Sequence, residues 1–166
     1  MSIETQDSRK AVKDKKTMVI WIDADACPLV VKDLITKTVI RTNTPAIFVA
    51  NQPIKVRKSP LITMKVVGSG FDVADDYIAD NVKKGDLVIT SDIPLANDVL
   101  ENGGQVLTPH GVIYDKNNIK QKLNARDFMD TMRSTGMLDP AQMGGQKPYS
   151  DKDKKQFADG LNKLVR

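Results

Sequence analysis

Residues 18–28 read Met18-Val19-Ile20-Trp21-Ile22-Asp23-Ala24-Asp25-Ala26-Cys27-Pro28. Five apolar residues in succession, with no polar alternation, mark a strand buried on both faces. Asp23 ends the run and Asp25 follows two residues later. Pro28 stands where a helix would begin, because proline suits the first helical position. Leu29, Val30, Leu34, Ile35, Thr38 and Val39 continue at roughly helical spacing. Strand, acidic turn and helix together form the first half of a βαβ unit.

The same rhythm recurs downstream. Ala46–Ala50 reads as a second buried strand, and 51–60 as a loop, because prolines interrupt it. Residues 62–67 form a third strand, broken by Gly68-Ser69-Gly70. Asp72 caps a helix that runs through Tyr77, Ile78 and Val82 and ends near Gly85. Residues 86–90 are a fourth strand, and Pro94 opens a helix that ends at Gly103-Gly104. Gln105–Leu107 is a short fifth strand. A long helix is predicted over 118–135, then a Gly/Pro-rich loop over 138–149. Ser150 and Asp153 have the spacing of a capping box for a last helix, 151–164. Such an order predicts an α/β fold with a largely parallel, helix-covered sheet. Ligands of such sheets bind beyond the carboxyl ends of the strands.

Composition sets outer bounds. The chain has 166 residues, enough for one domain, read here as 17–166 behind a flexible polar extension, 1–16. No apolar run approaches the roughly 20 residues that span a bilayer, and the N-terminus has no signal-peptide core. With one cysteine there is no internal disulfide. A cytoplasmic protein without a membrane partner is expected. The net charge is +4, but residues 1–16 and 151–166 each carry five basic and three acidic side chains. The whole excess therefore sits at the ends, and the body is neutral. Charge alone is weak support for a nucleic-acid partner.

Acidic residues fall at comparable places. Asp23 and Asp25 follow the first strand, Asp75 and Asp76 lie in the first turn of the helix after the third, and Asp92 follows the fourth. In a parallel sheet these carboxylates converge at one end. Like charges gathered there repel, and a hard divalent cation with oxygen ligands removes that cost. Simpler duties compete: Asp75 could complete a capping box with Asp72, and Asp25 could cap the turn before Pro28. Asp98 reads as a helix-face residue. Asp23 and Asp92 have no such evident structural duty.

Cys27 is read as a buried small residue, since no nearby His or Asn completes a nucleophilic site and His110 is the only histidine. Gly68-Ser69-Gly70 lacks the lysine of a phosphate loop and reads as a turn. Lys55, Arg57 and Lys58 cluster in the loop after the second strand, and Arg126 and Arg133 share a helix face seven residues apart. Lys55, Arg57 and Arg126 are candidates for contact with substrate phosphates. No basic stripe interleaved with aromatics suggests a stacking platform.

The segments WIDADACP, VANQ, GFDVADDYI, GDLVITSDIPLA and NARDFMDTMRSTG resemble the YaiI/YqxD family of small bacterial proteins, which is placed among the PIN-like domains. The resemblance runs from about Met18 to the C-terminus. It implies a three-layer α/β/α PIN-like fold with a mostly parallel central sheet of about five strands. PIN-like domains include metal-dependent ribonucleases, whose acids follow strands one and four, with another on an intervening helix. By that resemblance Asp23, Asp75 and Asp92 are the metal positions and Asp25 belongs to the family's own motif, with Asp98 a loose match for a fourth acid.

The expected activity is divalent-metal-dependent phosphodiester hydrolysis, with Mg²⁺ or Mn²⁺ as cofactor and RNA as substrate. Asp23, Asp25, Asp75 and Asp92 are the candidate catalytic residues. One alternative is a non-catalytic PIN-like module that binds metal, RNA or a protein partner. Another is a haloacid-dehalogenase-type phosphatase, suggested by a strand ending in Asp-Ala-Asp. That order is wrong here, since Asp75 and Asp76 precede Thr90 and Ser91, where that family needs its paired acids later. The sequence is compatible with a homodimer as well as a monomer.

Overall fold

The computed structural model describes residues 18–70, 73–124 and 148–165. The N-terminal extension, Asp72 as a cap, the second half of the long helix with Arg126 and Arg133, and most of the Gly/Pro-rich loop lie outside the described residues.

The chain forms β1 (Ile20–Asp23), a 3-10 turn (Ala24–Ala26), α1 (Leu29–Thr42), β2 (Ala46–Ala50), β3 (Ile62–Val66), α2 (Val73–Asn81) and β4 (Leu87–Ile89). α3 (Ile93–Glu101), β5 (Gln105–Leu107) and β6 (Ile113–Tyr114) follow. α4 is described over 116–124, and α5 spans Asp151–Leu164. The sheet order is β3-β2-β1-β4-β5-β6. β1 lies inside, with β2 and β4 as parallel neighbours, and β3 and β5 extend the sheet in parallel.

Among the described residues the sheet has six strands where about five are expected, and β6 runs antiparallel to β5. A tight turn makes this last pairing. The Thr108 amide donates to the Val112 carbonyl, the Val112 amide donates to Thr108 Oγ1 at 3.0 Å, and Gly111 takes a φ of 92°. Positive φ is open to glycine at little steric cost. A two-residue strand carries no readable alternation, so pattern reading passes over it.

Strand alternation sorts the side chains into two layers. Ile20, Ile22, Phe48, Leu87 and Ile89 pack with Val31, Ile35 and Val39 of α1 and with Phe157 and Leu161 of α5. Trp21, Val49, Val88 and Val106 pack with Ala74 and Ile78 of α2 and with Leu95 and Val99 of α3. The result is a three-layer α/β/α arrangement, as the PIN-like resemblance implies. The β2–β3 connection has no helix. Its Ile54, Val56 and Leu61 pack into the α1 layer.

One buried carboxylate fixes the strand starts. Asp86 is 6% exposed and accepts three N–H groups: Val19 N at 3.1 Å, Lys83 N at 3.0 Å and Trp21 Nε1 at 3.0 Å. It joins β1 to β4 at the edge opposite the candidate site. The helix ends follow local chemistry. Asn43 takes the left-handed conformation beyond α1, which Asn tolerates. Pro28 stands one residue before α1, as its N-cap. Ser150 and Asp153 form the capping box that the sequence predicts for α5. That helix lies close on the β5–β6 turn: a Cβ at Gly111 would come within 2.5 Å of the Gln156 backbone. No helix among the described residues is long and apolar enough to cross a membrane.

Candidate active site

Asp23 shares the parity of Trp21, so it points into the layer of α2 and α3, at the carboxyl edge of β1. It is only 8% exposed. Thr90, just past β4, donates its hydroxyl to Asp23 Oδ2 at 3.1 Å. The Asp23 side chain makes no capping bond to the 3-10 turn that follows it. Burial pushes its pKa above the ordinary carboxylate value. The Thr90 bond opposes that shift, and the charges of Asp25 and Asp92 add to it.

The neighbouring acids each have a distinct position. Asp25 is exposed, and its Oδ2 accepts the Asn51 amide at 2.8 Å. It ties the turn after β1 to the end of β2 and does not cap the turn before Pro28. Asp75 is half-buried in the first turn of α2. Asp23, Asp25 and Asp75 line one pocket of about 230 Å³, together with Ala26, Asn51, Gly70 and neighbouring α2 residues.

Asp92 does have a structural duty, against the expectation from the sequence. It is the N-cap of α3, with Oδ1 accepting the Leu95 amide at 2.8 Å and Pro94 in the first turn. Its own amide donates to Thr90 Oγ1 at 3.0 Å. Its charge still reaches Asp23. Asp98 is exposed on α3. Its carboxyl is pushed up by partial burial and by Glu101, Asp76 and Asp92, so it belongs to a field beside the pocket.

Two groups escape the sequence reading as site residues. Asn51 directly follows β2, and its side-chain Oδ1 is buried without a hydrogen-bond partner. Buried polar atoms are nearly always partnered, so such an atom calls for a ligand or water. Thr90 links Asp23 to Asp92 through one hydroxyl. Both stand at the carboxyl end of a strand, a position that sequence alone marks for any polar residue after an apolar run.

The donors in the pocket are hard oxygens, suited to Mg²⁺ or Mn²⁺ and not to soft metals. Among the described residues, no three Asp, Glu, His or Cys side chains form a ready-made metal group. The carboxylates therefore surround the pocket without closing on a common point.

Cys27 is buried in the α1 layer, and burial pushes its thiol up to about 12, with Asp23 adding to the effect. It is no nucleophile at neutral pH. His110 packs against Tyr149 with the rings tilted at 58° and their centroids 5.5 Å apart. Lys55 and Arg57 do not reach the aspartate pocket. They line a separate groove against α1. Arg126 lies outside the described residues.

A family model described as "Uncharacterized BCR, YaiI/YqxD family" matches residues 21–166. The chain belongs to the YaiI/YqxD family. Among the family's relatives, a UPF0178 protein of Psychrobacter cryohalolentis is 72% identical over 149 residues, covering 90% of this chain and 100% of that one. The UPF0178 protein of Psychrobacter arcticus matches to the same extent. That of Pseudoalteromonas translucida is 49% identical over 148 residues, covering 89% of this chain and 96% of its own. No solved structure matches the chain.

Proposed function

We propose that the protein is a divalent-metal-dependent phosphodiesterase acting on RNA, with its site in the pocket around Asp23. Asp23 itself is the observation that carries this reading. It is a nearly buried carboxylate with a raised pKa and negative neighbours, and its side chain caps no helix or turn. An ionised group so placed is costly to maintain. Perturbed carboxylates in a cleft are the common signature of a functional site.

Asp23, Asp25 and Asp75 would hold the ion, and Asn51 Oδ1 would add a neutral oxygen. Mg²⁺ keeps several waters and is usually bound by one or two carboxylates together with substrate phosphates. A closed protein cage is therefore unnecessary, which agrees with the open spacing of these acids. When bound, such an ion lowers the pKa of water and offsets charge on the phosphoryl oxygens. The chain's own groups do the positioning. Thr90 orients the Asp23 carboxylate, and the Asn51 amide orients that of Asp25. Asp92 fixes the start of α3 and adds negative potential.

The test is a panel of RNA substrates incubated with the purified protein and Mn²⁺. Cleavage by the wild type, lost in Asp23→Asn with an unchanged circular dichroism spectrum, is the expected result. Full activity in that variant would remove the mechanism. The main-chain bonds held by Asp25 and Asp92 favour a second reading, a non-catalytic module that uses the same pocket to bind. Mn²⁺ binding without cleavage of any panel member would select it.

A further inference from the structure

A second pocket, of about 170 Å³, lies between α1 and the β2–β3 connection. Leu29, Lys32, Asp33, Thr36 and Lys37 form one wall. Their spacing places them on a single face of α1. Lys55, Val56 and Arg57 form the other wall, and Phe48 of β2 forms the floor. Two cations thus face two cations, with Asp33 the single acid among the lining residues. None of the four is held in an ion pair among the described residues. Converging like charges repel, and an anion seated between them relieves that repulsion.

The size and form of the groove indicate the anion. Pockets for whole small molecules usually exceed about 300 Å³, so this one suits isolated anionic groups. From Leu29 to Lys37 the α1 wall runs about 12 Å, at 1.5 Å per residue. Leu29 is 71% exposed beside it, and no aromatic ring except the buried Phe48 is available for stacking. The same connection begins at Asn51, which lines the aspartate pocket. Lys55 lies four positions beyond Asn51, a reach of at most about 14 Å of chain. One extended polyanion can therefore touch both pockets.

We infer that this groove, built by Lys32, Lys37, Lys55 and Arg57, binds the phosphate backbone of a polynucleotide without reading its sequence. The choice of a polynucleotide over another polyanion rests on the phosphodiesterase reading of the neighbouring pocket. The groove itself is a separate set of side chains in the opposite layer of the fold.

The experiment is fluorescence anisotropy with a short labelled oligouridylate, in EDTA, across a series of salt concentrations. EDTA removes cleavage, and Asp23→Asn, which ends cleavage if the phosphodiesterase reading holds, leaves this binding in place. The double variant Lys32→Gln/Arg57→Gln is expected to bind at least about tenfold more weakly. Its log–log salt slope is expected to fall by about 0.7 for each phosphate that is no longer neutralised. Lys32→Arg/Arg57→Lys, which keeps both charges, is expected to restore most of the affinity. Lys154→Gln on α5, which is not among the groove's lining residues, is expected to leave the slope unchanged. Equal affinity and slope in the wild type and the Gln double variant would overturn the assignment. Inorganic phosphate displacing the oligonucleotide at equal phosphate concentration would also overturn it, in favour of a small-anion site.

Discussion

The Thr90 hydroxyl donates to Asp23 Oδ2 at 3.1 Å and so joins the carboxyl ends of two adjacent parallel strands. Thr90 Oγ1 in turn accepts the Asp92 amide. One side chain thereby holds the buried acid of β1 beside the cap of α3. Thr90 holds the site on its β4 side and the Asn51–Asp25 bond holds it at the end of β2, with Asp75 of α2 lining the same pocket.

Asp23 sets a pH dependence of stability. Its folded pKa lies above the ordinary value of 3.8. Between those two values the folded chain keeps a proton that the unfolded chain has released. Stability therefore falls as pH rises through that window and stays low above it. In EDTA, Asp23→Asn is expected to melt a few degrees above the wild type at neutral pH, with the gap closing below about pH 4. Melting curves across pH check this. Parallel curves for the two proteins would contradict it.

Asp92 has two separable roles. Asn caps helices about as well as Asp, whereas Ala loses about 1 kcal/mol. Asp92→Asn is expected to keep wild-type stability, and Asp92→Ala to lose roughly that amount by urea unfolding. If the charge of Asp92 also serves the cation, both variants weaken Mn²⁺ binding equally.

Asp86 is a purely structural acid. Its removal leaves three donors, Val19 just before β1, Trp21 in β1 and Lys83 in the α2–β4 connection, without their acceptor. Asp86→Ala is expected to cost roughly 3 kcal/mol or more. Trp21, the only tryptophan and one of those donors, reports the unfolding directly by fluorescence.

Cys27 is expected to be inert in the native protein. With its thiol pushed up from 9.0 to about 12, the thiolate population is about a thousandfold smaller than in the unfolded chain. Ellman's reagent at pH 8 should label it only after guanidinium is added. Rapid native labelling would show that the α1 layer opens around it.

Much of this architecture is legible from local pattern. The unbroken run ending at Asp23 marks the inner strand, and Ser150 with Asp153 marks the start of α5, because both signals involve neighbours in sequence. The expectation that Asp92 has no structural duty fails for a local reason. Pro94 reads as the opening of the helix, which hides the cap two residues before it. What pattern cannot carry is contact at long range. Two partners of Asp86, Trp21 on β1 and Val19 just before it, are 65 and 67 residues away. Lys32 and Lys37 face Lys55 and Arg57 only because the β2–β3 connection folds back over the α1 layer.

Mn²⁺ titration by isothermal calorimetry decides whether the pocket around Asp23 binds a divalent cation. Saturable binding to the wild type is expected, with at least about tenfold weaker binding to Asp23→Asn. Equal heats and equal affinity for the two proteins, or no binding to either, would contradict it.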